Sequence, residues 1–250
     1  MSILRFKFGH QKPLIISVVT GTFFRNLYRA PKGYRSILFS NNLELREEAI
    51  KKKWEFVFLS NDLMDISDSF ITSSVQSKYI KYLGFIDDYP QFQQFESFLY
   101  VDHKIHLTSK AIRFLENVKD INKSILIRNG KNLKKSLTAE INAANPFPRY
   151  ALNMPATIDF INTVLASQKL QEKVRIMNTG LIYYTNIQVI KPLLEEILLA
   201  INELKQPECQ IIFALLSQKY ENVIQRIEFS EIDLEHRLPP GDINWNFNSL

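Results

Sequence analysis

The first half of the chain alternates between short apolar runs and segments with helical spacing. Apolar runs rich in β-branched and aromatic residues predict strands at 14–19, 35–40, 54–60 and 97–101. Acidic residues early and lysines late in 43–53 favour a helix there, and a second helix is predicted around 77–83. Strands that alternate with helices indicate an α/β fold, in which helices cover both faces of a mostly parallel central sheet.

The second half is predicted to be richer in helix. Helices are expected at 109–118, 133–144, 154–170, 188–204 and 209–220, and strands at 123–129 and 222–229. Between them, 174–185 is interpreted as two apolar runs split by Asn178, Thr179 and Gly180. No linker or repeat interrupts the pattern, so we predict one domain over 1–230. Residues 231–250 are predicted to be a tail that packs on the body or closes a site.

Composition narrows the classes of partner. The net charge of +5 comes from 31 basic and 26 acidic residues, which suits an anionic ligand or an anionic membrane surface but is too dispersed for a nucleic-acid groove. The single cysteine, Cys209, excludes an intrachain disulfide and a Cys-rich zinc site. We expect no signal peptide, because the apolar run 14–19 is short and no small-residue cleavage site follows it, and no apolar run approaches the length that spans a membrane. We therefore expect a cytoplasmic protein, with contact at the inner face of the membrane as the alternative.

Polar residues directly after the predicted strands are the first candidates for a site, because ligands of open α/β sheets collect at the carboxyl ends of the strands. Asp102 follows the apolar run 98–101 and could bind a hard divalent cation that also takes substrate phosphates as ligands. His106, less so His103, and His236 from the folded-back tail could add ligands. The alternative is a solvated strand end without a metal.

Other candidates each have a plain structural alternative. Gly180 could allow a ligand to approach the backbone, or it could mark a bend or bulge. Glu140 and Gln210 could contact a sugar, or they could be a solvated helix residue and a residue near a helix start. Lys78 and Lys81 could neutralise phosphates, or they could form a solvated helix face.

Taken in order, several segments resemble the GT-A glycosyltransferases that use nucleotide-diphosphate sugars. The similarity is to the glycogenin and lipopolysaccharide-galactosyltransferase type and to a related plant domain. It rests on "VVTGTF" (18–23), "WEFVFLSND" (54–62), "SKYIKYL" (77–83), "FLYVDHKIHL" (98–107), "TAEINA" (138–143), "RIMNTGLIYY" (175–184) and "ECQIIFALL" (208–216).

The resemblance implies roles for individual residues. Asp102 would hold a divalent metal, usually manganese, with His106 and His236 as further ligands. Thr20, Gly21, Lys78, Lys104 and Gly180 would lie against the donor, and Gln210, Glu140 and Asn178 would serve catalysis at the sugar. The sequence departs from the family twice: Lys104 stands where the second Asp of Asp-X-Asp is expected, and Cys209 stands where an Asp precedes Gln210. Lys104 could replace part of the metal's charge.

The resemblance thus predicts a glycosyltransferase of polysaccharide biosynthesis. It would move a sugar from a nucleotide-diphosphate donor, a UDP-sugar, to a glycan or glycolipid acceptor with retention at the anomeric carbon. Because two carboxylates are missing, a non-catalytic descendant that binds a nucleotide or glycan stays open. A basic interaction module, at a membrane surface or on nucleic acid, is the third reading. The mixed charge pattern disfavours it, and we expect no nucleic-acid partner.

Overall fold

A seven-stranded sheet forms the centre of the computed structural model, which describes residues 12–22, 27–60, 64–117, 123–130, 136–228 and the backbone of 234–236. A separate two-stranded sheet lies beside it. In chain order the strands are β1 (Leu14–Val19), β2 (Ser36–Ser40), β3 (Glu55–Phe58), β4 (Phe98–Val101), β5 (Ile105–Leu107), β6 (Ile125–Asn129), β7 (Met177–Tyr184), β8 (Ile224–Ile227) and β9 (Leu234–His236).

The order of strands in the large sheet is β3-β2-β1-β4-β7-β6-β8. All pairs are parallel except those of β7, which runs antiparallel to both β4 and β6. The predicted α/β fold with a mostly parallel central sheet is therefore confirmed.

The prediction of two apolar runs within 174–185 is wrong, because β7 is a single strand. Its pairing with β6 shifts register at this point: Ile127 lies opposite Ile182, whereas Arg128 lies opposite Asn178. A bulge of this kind lets a strand keep its pairing on both sides of a polar segment. The bulge alternative for the segment 178–180 is thus the one observed.

Helices flank the sheet on both sides. In chain order they are α1 (Arg46–Lys51), α2 (Phe70–Tyr79), α3 (Phe85–Asp87), α4 (Ser109–Asn117), α5 (Leu137–Ala144), α6 (Pro148–Ala151), α7 (Met154–Gln168), α8 (Ile187–Leu204) and α9 (Cys209–Leu216). A π-helix at Ile80–Gly84 joins α2 to α3, and 3₁₀ turns lie at Leu43–Leu45, Pro90–Phe92 and Ser217–Val223.

Two apolar layers result from the alternation of side chains along β1, which is buried throughout. Leu14, Ile16 and Val18 point to a layer built from α2, the π-helix, α8 and α9. Ile15 and Val19 point to the opposite layer, which includes residues of α1 and α4. Both faces of the sheet are therefore covered, as predicted.

Part of the predicted tail returns to the body. β9 pairs antiparallel with β5, which follows directly after the end of β4. The other residues of 231–250 lie outside the described part of the chain, so the boundary at residue 230 and a closing role for the tail stay predictions. Among the described residues, no helix has both the length and the hydropathy needed to cross a membrane.

Candidate functional site

Asp102 is held at the carboxyl end of β4 by its neighbours in the sheet. Its backbone N–H donates to the carbonyl oxygen of Gly180 at 2.8 Å, and its own carbonyl accepts from Ile105 N–H at 2.8 Å. The hydroxyl of Tyr100 donates to Oδ1 at 2.6 Å. The side chain is 25% exposed, so the carboxylate is fixed in place yet reachable from solvent.

The carboxylate of Asp102 lies among cations. Lys104 Nζ is 4.0 Å from its Oδ2. Burial raises the pKa of Asp102, whereas the ammonium group of Lys81 lowers it. Lys104, Lys78 and the hydrogen bond from Tyr100 act in the same direction as Lys81, and the resulting pKa is about 2. Asp102 is therefore ionised at neutral pH inside a positively charged surrounding.

Gly180 is needed for close approach to Asp102. A Cβ at this position would lie 3.0 Å from Asp102 Oδ2, 3.0 Å from Asn178 Oδ1 and 2.9 Å from Ile105 Cδ1. The backbone N–H of Gly180 donates to Asn178 Oδ1 at 2.9 Å, which fixes the Asn178 amide. The structure thus brings Asn178, Gly180 and Asp102 together, as the sequence predicts.

A buried lysine and cysteine lie beneath this group. Lys81 is 2% exposed, and its Nζ is 3.7 Å from Cys209 Sγ and 4.8 Å from the centroid of the Tyr100 ring. Thr179 Oγ1 is 3.2 Å from the same sulfur. Burial raises the pKa of the Cys209 thiol, but Lys81 and Lys78 bring it below its ordinary value. Cys209 therefore links β7 to the lysines that surround Asp102.

Sequence reasoning missed the role of Lys81. It grouped Lys81 with Lys78 on one helix face, solvated or phosphate-binding, whereas Lys81 is buried. The signal was in its neighbours, because Ile80, Tyr82 and Leu83 leave little polar surface for a solvated face. In the sequence, Cys209 stands out only because it replaces an expected Asp. Its contact with Lys81 joins residues 128 apart in the chain, so no local pattern indicates it.

Glu140 and Gln210, each predicted to serve catalysis at the sugar, are hydrogen-bonded to each other. Ser136 caps α5 by accepting from Ala139 N–H at 3.1 Å, and Glu140 in the first turn is only 5% exposed. The alternative of a solvated Glu140 is therefore wrong. Gln210 Nε2 donates to Glu140 Oε1 at 3.4 Å. Through Cys209, its neighbour in α9, Gln210 is tied to the group around Asp102.

Thr20 and Gly21 lie at the carboxyl end of β1, beside α2. Thr20 Oγ1 donates to the carbonyl of Ser73 at 2.5 Å, and Gly21 N–H donates to Asn41 Oδ1 at 2.8 Å. Gly21 has a φ of +81°, a left-handed conformation that favours glycine. These polar groups shape the edge of the sheet, and their contact with a nucleotide stays a prediction.

The described residues do not make a complete site for a divalent metal. Within the described ranges, no three His, Cys, Asp or Glu side chains converge in a way that could hold a metal ion. The ring of His106 lies against Tyr28, with 5.3 Å between centroids. His236 is opposite Ile105 in the pair of β5 and β9, and its side chain lies outside the described residues. Among the described residues, the predicted manganese site thus consists of Asp102 with lysines around it. One carboxylate next to ammonium groups does not fit a divalent metal.

Neither a family model nor a curated protein matches the sequence. Solved structures are similar at low identity. A glycosyltransferase involved in the glycosylation of the major capsid of PBCV-1 is 11% identical over 87% of this chain and 82% of that one, with a TM-score of 0.41. The mannosyltransferase Ktr4p from S. cerevisiae is 13% identical over 91% of this chain and 71% of that one, with a TM-score of 0.48. Mouse xyloside xylosyltransferase 1 is 9% identical over 86% of this chain and 84% of that one, with a TM-score of 0.42.

Proposed function

We propose that the chain is a glycosyltransferase that moves a sugar from a UDP-sugar to a glycan acceptor. One observation carries the proposal: Asp102 lies against Gly180 at the carboxyl edge of the sheet, Thr179 before Gly180 contacts Cys209, and Gln210, the next residue of α9, donates to Glu140. This arrangement joins a positively charged end, suited to a diphosphate, to an end with amide and carboxylate groups, suited to sugar hydroxyls.

The positively charged end would stabilise the leaving diphosphate. When the bond between sugar and phosphate breaks, negative charge grows on the phosphate oxygens, and fixed cations nearby lower the energy of that state. Lys104 is half exposed beside Asp102, and Lys78 acts on the same carboxylate from α2. Lys78 comes from α2 and Lys104 from the turn after β4, so both cations start close to the place where the charge would grow.

The other end would orient the sugar. The Gln210 amide donates to Glu140, and Glu208 Oε1 accepts from the backbone N–H of Gln210 at 3.1 Å. Glu140 is thus a positioning residue for the Gln210 amide as well as an acceptor for a sugar hydroxyl. The fixed amide of Asn178 offers a further contact on the β7 side. Retention at the anomeric carbon is part of the proposal through the resemblance alone.

The acceptor would enter over α6. Phe147 is 51% exposed and lies edge-on to Tyr150, with 6.1 Å between ring centroids. Arg149 lies 4.6 Å from the centroid of the Tyr150 ring and 5.1 Å from that of Phe70 at the start of α2. An exposed ring next to a guanidinium offers an apolar face and hydrogen-bond donors together, which matches the two kinds of surface on a sugar.

The test is to measure donor binding by calorimetry and sugar transfer or donor hydrolysis by product release, with UDP and a panel of UDP-sugars. Glu140→Gln and Gln210→Ala are expected to lower kcat at least tenfold while UDP binding changes little, because neither residue is placed at the diphosphate. Glu203→Gln, at an exposed position of α8, is the matched control and should leave both quantities unchanged.

Each rival predicts a different result. A non-catalytic descendant would bind UDP or a glycan without turnover in the wild type. A basic interaction module would bind a polyanion with steep salt dependence and would not respond to UDP. Absence of binding to every nucleotide sugar tested would remove the transferase proposal.

A further inference from the structure

The lysines around Asp102 determine which charge a ligand can bring to this place. Lys104 Nζ lies 4.0 Å from Oδ2 of Asp102, whose side chain is 25% exposed. Lys81 Nζ lies 4.8 Å from the centroid of the Tyr100 ring, whose hydroxyl donates to Oδ1 of the same carboxylate. Lys78 also lowers the pKa of Asp102. The described residues near Asp102 therefore offer an anion more favourable surroundings than they offer a second cation.

We propose that this chain binds the diphosphate of its donor through lysine ammonium groups, chiefly Lys104, without a divalent cation. The inference rests on the proposed function and names the way in which that site recognises its substrate. It replaces the manganese predicted from the resemblance.

Lys104 is the group best placed to reach a phosphate. It follows Asp102 by two residues in the turn between β4 and β5, and its side chain is 53% exposed. Its Nζ lies 4.0 Å from Asp102 Oδ2, a separation at which the pair is only loosely held. The ammonium group can therefore turn towards a phosphate oxygen without breaking a buried hydrogen bond.

Lys81 has a different task. It is 2% exposed, between Cys209 Sγ at 3.7 Å and the Tyr100 ring at 4.8 Å, so it does not reach a ligand at the surface. Burial lowers the pKa of Lys81, and the negative charge of Asp102 opposes that shift, so the two groups favour each other's charged form. Lys81 is thus a positioning residue, and Lys104 is the contact residue.

A divalent cation fits this place poorly for two reasons. Mg²⁺ and Mn²⁺ are held by several oxygen or imidazole ligands, and here the described residues give one carboxylate. A double positive charge next to Asp102 would also meet the ammonium groups of Lys81, Lys104 and Lys78. A diphosphate has the opposite sign and would be attracted by the same three groups.

The test is the affinity of the full chain for UDP, by calorimetry at one ionic strength, first with EDTA and then with manganese. We expect the two dissociation constants to agree within about twofold, since a factor of two is under 0.5 kcal/mol. Lys104→Ala should weaken UDP binding at least tenfold in EDTA. Lys110→Ala, which removes an exposed lysine of α4, should leave it unchanged.

The decisive variant is Asp102→Asn, because the two ways of binding predict opposite signs. If Asp102 is a metal ligand, the variant loses UDP binding. If lysines hold the diphosphate, removing a negative charge beside them leaves UDP binding equal or tighter. The hydroxyl of Tyr100 can still donate to the Asn side chain, so the local fold should persist, and an unchanged melting temperature checks this.

Other outcomes separate this inference from the proposed function. UDP binding that appears only with manganese, or that survives Lys104→Ala unchanged, overturns the lysine site and leaves the transferase in place. Failure to bind UDP and every UDP-sugar, with or without manganese, overturns both.

Discussion

Gly21→Ala should destabilise the fold through two separable terms. Gly21 has a φ of +81°, and a Cβ there would lie 2.1 Å from Ser73 Oγ and 2.8 Å from the carbonyl oxygen of Ser67. These two groups are hydrogen-bonded to each other, since Ser73 Oγ donates to the carbonyl oxygen of Ser67 at 3.0 Å. The new methyl group would therefore push apart the hydrogen bond that closes the loop before α2.

The magnitude is the sum of the two terms. A non-glycine residue in the left-handed region costs about 1–2 kcal/mol. An extra carbon in a packed place costs about 1–3 kcal/mol, which gives a total loss of about 2–5 kcal/mol in the free energy of unfolding. At roughly 2–4 °C for each kcal/mol in a chain of this size, the melting temperature should fall by about 4–20 °C.

Gly33→Ala is the matched control. Gly33 has a φ of +84°, but the nearest atom to its added Cβ is Lys12 Nζ at 3.5 Å, at the end of a flexible side chain. Gly33→Ala should lose only the free energy that a left-handed backbone costs a non-glycine residue. The losses in the free energy of unfolding for the two variants should therefore differ by about 1–3 kcal/mol. Urea unfolding followed by circular dichroism measures both. Equal losses for the two variants would refute the crowding at Ser73.

Three further outcomes are expected. Gly180→Ala should lower the free energy of unfolding by about 1–3 kcal/mol in urea titrations, because its Cβ would lie 2.9 Å from Ile105 Cδ1 and 3.0 Å from Asp102 Oδ2 in a packed place; wild-type stability would contradict this. Ser136→Ala removes the cap of α5 and should lower the free energy of unfolding by about 0.5–2 kcal/mol in urea titrations. Arg35→Met breaks the exposed pair with Glu55 and should cost less than about 1 kcal/mol in the same assay, so a larger loss would show that the pair matters more than its exposure indicates.

The sequence predicted the local elements well where burial leaves a simple pattern. β1 was predicted at its observed bounds, and β2 and β4 within one residue, because each is a continuous apolar run buried on both faces. The rule that ligands collect at the carboxyl ends of parallel strands then led to Asp102. Its neighbours Gly180 and Asn178 were found by resemblance and by the polar break in an apolar run.

What the sequence could not predict depends on pairing between distant segments. The direction of β7 and its continuity through Asn178 are set by its position between β4 and β6, and no local pattern encodes that position. The contact of Lys81 with Cys209 likewise needs α9 to pack on the π-helix side of the sheet. The sequence shows that two expected carboxylates are replaced. It does not show that lysines then surround Asp102, because that arrangement depends on the fold.

The π-helix at Ile80–Gly84 gives this part of the chain a tolerance for a change in length. All five of its residues are buried, and the wider turn accommodates one more residue than an α-helix would. Deleting a single residue here would return the segment to α-helical geometry and leave the residues after it on nearly the same face, because the wider turn is what absorbs the extra residue. Phe85 would then keep its place in the core, whereas the side chains of 80–84 would be redistributed around a narrower turn. Homologous chains can therefore differ by one residue here and keep the same fold on both sides.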